Sequence, residues 1–187
     1  MALHRYWRIN VTETTSGADH LLSCYEFEMR ATVGGADQCS GGTPSASVNS
    51  STAYKLFDNT TATYWVNGGP SVDFWFQYDF GAGNEVTVLE LQFVPRYVSQ
   101  SLKDFQLQYS DNGTDFFTLN SWTEVSGWIG GVEKLFQVPV PPPIVQQWDL
   151  PFSLRAMLKK SWDLLYGESL AGTQWSLPYG NPIDLQW

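Results

Sequence analysis

The sequence predicts an all-β protein, an antiparallel β-sandwich followed by an extended arm rich in tryptophan. Short runs of alternating apolar and polar residues recur between turn signals, and no good helical pattern separates them. Aromatic residues make up 16% of the 187 residues, and large rings suit the pleated, half-buried surfaces of strands. A proline run near the last quarter of the chain then marks the change from sandwich to arm.

Alternation indicates the first elements. Residues 4–13 and 21–32 each alternate in polarity over a strand-length run, so both are predicted as strands. Residues 45–51 are small and polar, which is typical of a loop or a short edge strand. A short helical turn is predicted over residues 51–57.

The later strands are separated by turn residues. Residues 71–80, 85–95 and 103–110 carry strong apolar patterns, and the last of these precedes Asn112-Gly113, which fits the positive φ angles of a hairpin turn. Shorter strands are predicted at residues 116–119, 122–125 and 133–138. Together these runs predict the sandwich.

The charge of the chain argues against two classes of partner. Ten Lys and Arg against nineteen Asp and Glu give a net charge of −9. Binding to nucleic acid needs a basic surface, as does adhesion to anionic lipid, so neither is expected. No run is long and apolar enough for membrane insertion, and the first residues do not resemble a signal peptide. Synthesis in a cytoplasm is therefore expected.

The sequence shows no catalytic constellation. His4 and His20 both lie early in the chain, and no G-x-S-x-G elbow occurs. Cys24 and Cys39 form no zinc motif. They are either two buried thiols, which a cytoplasmic origin favours, or a disulfide. No enzymatic activity and no catalytic residue are predicted.

One stretch, residues 54–65, gathers oxygen donors in a predicted turn. Asp58 and Thr63 offer side-chain oxygens, and Asn and Thr between them favour turns that leave carbonyls free. Oxygens converging on a short loop suit a hard cation such as calcium. The alternative is an Asx-turn that closes the loop without an ion.

The same stretch resembles the signature loop of discoidin domains, also called coagulation-factor type C domains, and of the related family 32 carbohydrate-binding modules. The residues that carry the resemblance are Lys55-x-x-Asp58-x-Thr60-x-x-Thr63-x-Trp65, residues 74–81 (FWFQYDFG), Val94-Pro95-Arg96 and residues 105–113 (FQLQYSDNG). The resemblance covers roughly residues 4–138. It implies a galactose-binding-like jelly-roll sandwich. Members of this family often join their termini by a disulfide, and this chain has no cysteine near residue 138.

The resemblance implies a structural calcium ion beneath the loops. Carried over by position, its ligands are the side chains of Asp58 and Thr63 and the carbonyls of Lys55, Thr60 and Thr63. Glu133 is the nearest candidate for the late glutamate that often completes such a site.

The resemblance also implies a sugar site on neighbouring loops. Arg96 matches a family position that donates hydrogen bonds to sugar hydroxyls. Tyr97 and Trp128 are candidate aromatic platforms, and Asn67 is a candidate polar contact. Trp65 and Trp75 are predicted to belong to the core.

The predicted organisation is a sandwich over residues 1–138, a proline-rich linker over residues 139–143 and an anchoring arm over residues 144–187. The arm holds three copies of one heptapeptide, at residues 147–153, 161–167 and 174–180. Its period of two favours strand, although a helix also fits part of it. The arm is too small for its own core and must bury its apolar face against the sandwich or another chain. Its tryptophans are Trp148, Trp162, Trp175 and Trp187.

These features, with a resemblance of residues 4–9 and 34–38 to discoidin-like domains of phage virion proteins, predict a bacteriophage structural subunit. It would belong to a tail, a fibre or a capsid decoration, attach to host glycans and oligomerise in the virion, with the arm docking on other virion subunits. The alternatives are a carbohydrate-binding module of a bacterial glycoside-active system and a purely structural decoration protein.

Overall fold

A computed structural model describes residues 2–69 and 73–139, which form two stacked antiparallel sheets. Nine strands and three short 3-10 helices occur in this described part. The strands are β1 (Tyr6–Thr14), β2 (Ser23–Arg30), β3 (Thr43–Ala46), β4 (Trp65–Val66), β5 (Phe74–Asp79), β6 (Glu90–Pro95), β7 (Leu102–Ser110), β8 (Phe117–Trp122) and β9 (Lys134–Gln137). The 3-10 helices are Gly17–Asp19, Ser50–Leu56 and Val98–Gln100. The predicted β-sandwich is therefore confirmed.

The larger sheet has the strand order β3-β5-β1-β7-β8, and the smaller sheet has the order β4-β2-β6-β9. In the larger sheet β1 is central, with Ile9 opposite Phe76 on one side and Leu107 on the other. In the smaller sheet β2 and β6 are central. Strands β1 to β7 alternate between the two sheets, as expected for a jelly-roll arrangement, and β8 pairs with β7 in the larger sheet.

Aromatic and aliphatic side chains from both sheets fill the space between them. Phe27 on β2 meets Phe76 on β5 edge to face, with 5.1 Å between ring centres. Both rings are fully buried, as are Trp7, Ile9, Trp65, Leu91, Phe93 and Leu107. Alternation along β5 puts Phe74, Phe76 and Tyr78 inside. Burial of this size is the main stabilising term of the domain.

Three local predictions differ from the structure. The run 85–95 becomes a regular strand only from Glu90, because β2 ends opposite that residue at Arg30. The runs 116–119 and 122–125 are replaced by one strand, β8, whose register against β7 shifts between Leu107 and Gln108. That bulge disturbs the period of two, so the pattern suggested a break. The two-residue strand β4 is too short to give a pattern.

Trp75 does not lie in the core, in contrast to the prediction. It is half-buried on the outer face of β5, 5.6 Å from the guanidinium of Arg8. Trp65, the other tryptophan predicted as core, is fully buried. Period-two alternation explains Trp75, because its neighbours Phe74 and Phe76 take the inner positions.

Cys24 and Cys39 are both free and buried. Burial raises the pKa of each thiol well above its usual value. The two side chains therefore belong to the core as neutral thiols, as the cytoplasmic interpretation favoured.

Most of the linker and the whole arm, residues 140–187, lie outside the described residues. The predictions for the strand character of the arm and for Trp148, Trp162, Trp175 and Trp187 accordingly remain predictions. Within residues 2–69 and 73–139, no helix has the length and apolar character needed to span a membrane.

Candidate functional site

Four side chains form an exposed surface at one end of the smaller sheet, which we call the arginine–tyrosine surface: Tyr25, Tyr64, Arg96 and Tyr97. The guanidinium carbon of Arg96 lies 3.5 Å from the ring centre of Tyr64 and 4.6 Å from that of Tyr97. Tyr25 meets Tyr64 edge to face at 6.4 Å. Tyr64 is 39% exposed and Tyr97 is 45% exposed, so large parts of both rings face solvent.

The ends of the strands hold this surface in place. Arg96 follows β6 directly, and its backbone N–H donates to the carbonyl of Ser23 at 2.9 Å. Gly131 N–H donates to the carbonyl of Pro95 at 2.7 Å, which ties a second loop to the same point. A Cβ atom on Gly130 would lie 3.1 Å from the carbonyl oxygen of Arg96, so this position favours a residue without a side chain.

A β-bulge in β2 helps to build the surface. The register between β2 and β6 shifts between Cys24 and Glu26, so Tyr25 is the extra residue. Cys24 and Phe27, three positions apart, are both in the core as a result. The two residues between them lie toward the loop that precedes β4, where Tyr25 contacts Tyr64 and Glu26 contacts Thr60. Bulges commonly re-aim side chains beside binding sites.

A polar groove of about 450 Å³ adjoins the surface, and Tyr64 belongs to both. Its lining residues are Asn49, Ser51, Thr52, Lys55, Ala62, Thr63, Tyr64 and Val66. Most of these side chains carry hydroxyl, amide or ammonium groups. Such a groove can hydrogen-bond a polyhydroxylated ligand while the neighbouring rings cover an apolar face of it.

Residues 55–63, which we call the oxygen loop, form the other side of this groove. The hydroxyl of Thr63 donates to Asp58 Oδ2 at 2.5 Å, and the backbone N–H of Thr60 donates to Glu26 Oε2 at 3.0 Å. Asp58 Oδ1 and Glu26 Oε1 are buried and have no hydrogen-bond partner within the described residues. Ser23 and Asp37 each carry one further atom of this kind.

The charge state of Glu26 reflects this environment. Burial raises the pKa of Glu26 from its ordinary value of 4.5 to about 8, and the negative charges of Asp58 and Asp37 add to the shift. The N–H groups of Thr60 and Phe27 oppose it. A buried carboxylate with a negative neighbour and no cationic partner is costly, so the carboxyl group holds its proton to an unusually high pH.

The donor set fits a hard cation. Two carboxylate oxygens without partners and the Thr63 hydroxyl are the oxygen ligands that calcium prefers. No group of three or more His, Cys, Asp or Glu side chains that could hold a metal occurs in the described part of the chain. Carbonyl and hydroxyl oxygens of the loop, including those predicted at Lys55, Thr60 and Thr63, would have to complete the coordination shell.

Glu133 and Glu26 differ in their relation to the oxygen loop. Glu133 is exposed ahead of β9 and makes no hydrogen bond or ion pair with the loop among residues 2–69 and 73–139. Glu26, which the sequence did not single out, contacts the loop through Thr60. The structure thus brings Asp58 and Thr63 together with Glu26, and the role of Glu133 remains a prediction.

Two of the predicted sugar-binding residues are buried. Trp128 is only 6% exposed, donates its indole N–H to the carbonyl of Leu102 at 2.8 Å and packs against Phe93. Asn67 is 3% exposed and hydrogen-bonds the backbone of Leu22 and His20. Both therefore hold the fold, and neither offers a surface for a ligand, which corrects the prediction for these two positions.

Sequence analysis missed Tyr25, Tyr64 and Glu26. Tyr25 and Glu26 lie at the bulge in β2, and no local pattern in the sequence reveals that bulge. Tyr64 stood beside the predicted core residue Trp65, and alternation alone could have suggested that it faces outward. Its contact with Arg96, 32 positions away, depends on the fold.

Comparison with known proteins gives one match. The family model of the F5/8 type C domain matches residues 40–148. No curated protein and no solved structure matches the chain.

Proposed function

Because the chain belongs to the F5/8 type C domain family, whose members are generally binding modules, we propose that it binds a cell-surface glycan through the arginine–tyrosine surface and the adjoining groove. The observation that carries the proposal is the stacking of the Arg96 guanidinium on Tyr64, with both tyrosine rings still exposed. No enzymatic step is proposed.

The chemistry of the surface suits a sugar ring. A pyranose has an apolar face, which stacks on exposed aromatic rings, and hydroxyl groups at its rim, which need hydrogen-bond partners. Arg96 supplies a rigid fork of N–H donors beside Tyr64 and Tyr97. Because its ring contacts already hold the guanidinium, little side-chain entropy is lost when a ligand binds.

Substitution of Arg96 tests the proposal. Full-length protein is applied to an array of neutral and acidic glycans, and Arg96→Ala is expected to lose at least about tenfold in affinity for any glycan bound. Arg5→Ala is a matched control, because Arg5 pairs with Asp79 at 2.7 Å and lies outside this surface. Full binding by Arg96→Ala would place the site elsewhere, and failure of the wild type to bind any glycan favours a purely structural role.

We further propose that the oxygen loop holds a structural calcium ion. The support is the pair of buried oxygens without partners on Asp58 and Glu26, together with the hydroxyl of Thr63. When bound, the ion would supply positive charge between two carboxylates. With the ion bound, Asp58, Glu26 and Thr63 would hold the oxygen loop, which forms one side of the groove, in one conformation.

The arm suggests a role in an assembled particle. We propose that the protein is a bacteriophage virion subunit whose residues 144–187 dock on other virion subunits, with copies of the chain side by side. The support is the threefold Trp heptapeptide, which presents alternating large apolar residues. Native mass spectrometry of full-length protein should show oligomers that Trp162→Ala and Trp175→Ala weaken. A clean monomer that these substitutions merely unfold would contradict anchoring.

The alternative of a carbohydrate-binding module in a bacterial glycoside-active system uses the same surface. It differs in its partner, which would be a catalytic domain rather than a particle. Glycan binding by an exclusively monomeric protein would favour it.

A further inference from the structure

We propose that the ligand of the groove is an acidic sugar, whose carboxylate or phosphate group is bound between Lys55 and Arg96 across the ring of Tyr64. The inference rests on the proposed glycan-binding function and names the class of glycan. The evidence is a comparison of the ion pairs and hydrogen bonds that each Arg and Lys side chain makes within the described residues.

Three of these cations are neutralised by carboxylates. Arg5 forms a two-point pair with Asp79, with N–O distances of 2.7 and 2.9 Å. Arg30 is held by Glu28 and Glu90. Lys103 lies 3.6 Å from Glu124. In a chain with nineteen acidic residues, such pairing is the expected condition of a cation.

The remaining cations outside the groove have other polar partners. Arg8 donates two hydrogen bonds to Gln108, and Lys134 donates to the carbonyl of Ser126. These hydrogen bonds hold both side chains in place, and neither side chain needs an anionic ligand as a partner. Neither residue lines the polar groove beside Tyr64.

Lys55 and Arg96 differ from all of these. Neither forms an ion pair within residues 2–69 and 73–139, and the Lys55 ammonium makes no hydrogen bond there. The Arg96 guanidinium lies over the faces of Tyr64 and Tyr97 and also contacts the hydroxyl groups of Tyr64 and Tyr25, so its described partners are tyrosines and none is a carboxylate. Tyr64 joins the two positions, because it lines the groove with Lys55 and stacks on Arg96.

The surroundings of the two cations select the ligand class. A neutral sugar would be satisfied by the hydroxyl and amide groups of Asn49, Ser51 and Thr52, which line the same groove. Two cations without carboxylate partners add more affinity for an anion than for a neutral sugar, because charge-assisted hydrogen bonds are about twice as strong as neutral ones. The groove therefore combines hydroxyl recognition with a positively charged end, as an acidic sugar requires.

The test compares acidic sugars with neutral counterparts that have the same sugar rings. Full-length protein is titrated calorimetrically with trigalacturonic acid and with its fully methyl-esterified form, and with mannose 6-phosphate and mannose. We expect the acidic member of at least one pair to bind about tenfold more tightly than its neutral partner. The carboxylate pair and the phosphate pair distinguish the two sources of negative charge.

Lys55→Gln separates this inference from the general function. The variant should lose most of the preference for the acidic probe, measured as the ratio of the affinities for the acidic and the neutral probe. Lys103→Gln removes a lysine that is paired with Glu124 elsewhere on the domain and should leave this ratio unchanged. A melting curve verifies that both variants fold.

The outcomes are distinguishable. Equal binding of acidic and neutral probes overturns the acidic ligand. An unchanged preference in Lys55→Gln overturns its binding between Lys55 and Arg96, and either outcome leaves glycan binding intact. No binding by wild type to any of these probes, nor to the array of glycans used for Arg96, overturns the proposed function itself.

Discussion

Two groups of acidic side chains lie along β2 in different surroundings, with Glu26 and Glu28 on the strand itself, Glu90 on the neighbouring β6 and Asp58 in the oxygen loop. Toward the end of the strand, Glu28 and the buried Glu90 are bound by Arg30, whose guanidinium also contacts Gln92. Near its start, Glu26 and Asp58 keep one buried oxygen each without a partner among the described residues. The strand is the same, and only the neighbours differ.

The difference teaches how to separate a structural cluster from a candidate site. A buried polar network with every group satisfied rigidifies the fold and needs nothing further. A buried carboxylate pair without a cation lowers the stability of the fold. A bound cation would offset this cost, so such a pair is a candidate ligand site. We call the Glu28–Glu90–Arg30 group the satisfied half and the Glu26–Asp58 group the unsatisfied half. The satisfied half is therefore expected to govern stability, and the stability contributed by the unsatisfied half is expected to depend on bound ions.

The largest expected effect follows from breaking the satisfied half. Arg30→Ala leaves the buried Glu90 and the half-buried Glu28 without a cation, and we expect the free energy of unfolding to fall by about 3–5 kcal/mol. Chemical denaturation measures it. Arg5→Ala, which removes a more exposed pair, should destabilise the protein much less than Arg30→Ala. Similar losses in both variants would show that the Arg30 network contributes no more to stability than an exposed ion pair.

Calcium should act on the unsatisfied half. At one hundred times its dissociation constant, we expect calcium to stabilise the protein by about 2.7 kcal/mol, because it binds the folded state alone. Thermal melts with calcium and with chelator measure the shift. Asp58→Asn and Glu26→Gln should abolish it, whereas Glu133→Gln should retain it if Glu26 is the ligand. A shift lost in Glu133→Gln and retained in Glu26→Gln would confirm the prediction for Glu133 made from the sequence.

Without calcium, Glu26 should make stability depend on pH. Its folded pKa of about 8 lies above the ordinary value of 4.5, so between these values the folded state holds the proton more tightly than the unfolded state. The stabilisation is full below about pH 4.5 and is lost as pH rises through 8. We expect a loss on the order of 2 kcal/mol between pH 5 and 8 in chelator.

Glu26→Gln is the variant that checks this dependence, because an amide does not titrate. Its free energy of unfolding in chelator should change less over the same pH range than that of wild type. Glu133→Gln, at an exposed position, should keep the wild-type slope. Parallel slopes for all three proteins would show that the carboxyl of Glu26 is not perturbed.

The smallest expected effect on stability is at Tyr64, on the ligand side of the unsatisfied half. Tyr64→Ala removes a side chain that is 39% exposed, and we expect at most about 1 kcal/mol of destabilisation. Glycan binding should nevertheless be lost, because Tyr64 links Arg96 and the groove. Trp128→Ala is the contrast: a buried ring should cost about 3–5 kcal/mol. Glycan binding that survives Tyr64→Ala would exclude this surface.

The sequence by itself determined the sandwich and much of its core. Alternation around Phe74, Phe76 and Tyr78 identifies an inner face, because strand side chains point to opposite sides in a period of two. The spacing of Lys55, Asp58 and Thr63 identified the loop, because its residues are local in the chain. Such properties depend on neighbours within a few positions, which a sequence displays directly.

Only the tertiary structure decided which residues form the site. Trp128 and Asn67 lie in loops, but Trp128 packs against Phe93 of β6 and Asn67 hydrogen-bonds the backbone of His20 and Leu22, so both are buried. Glu26 reached the oxygen loop because Tyr25 forms a bulge, and Arg96 met Tyr64 because β6 ends beside β2. Contacts between distant segments depend on register and on strand order, and no local pattern encodes either of them.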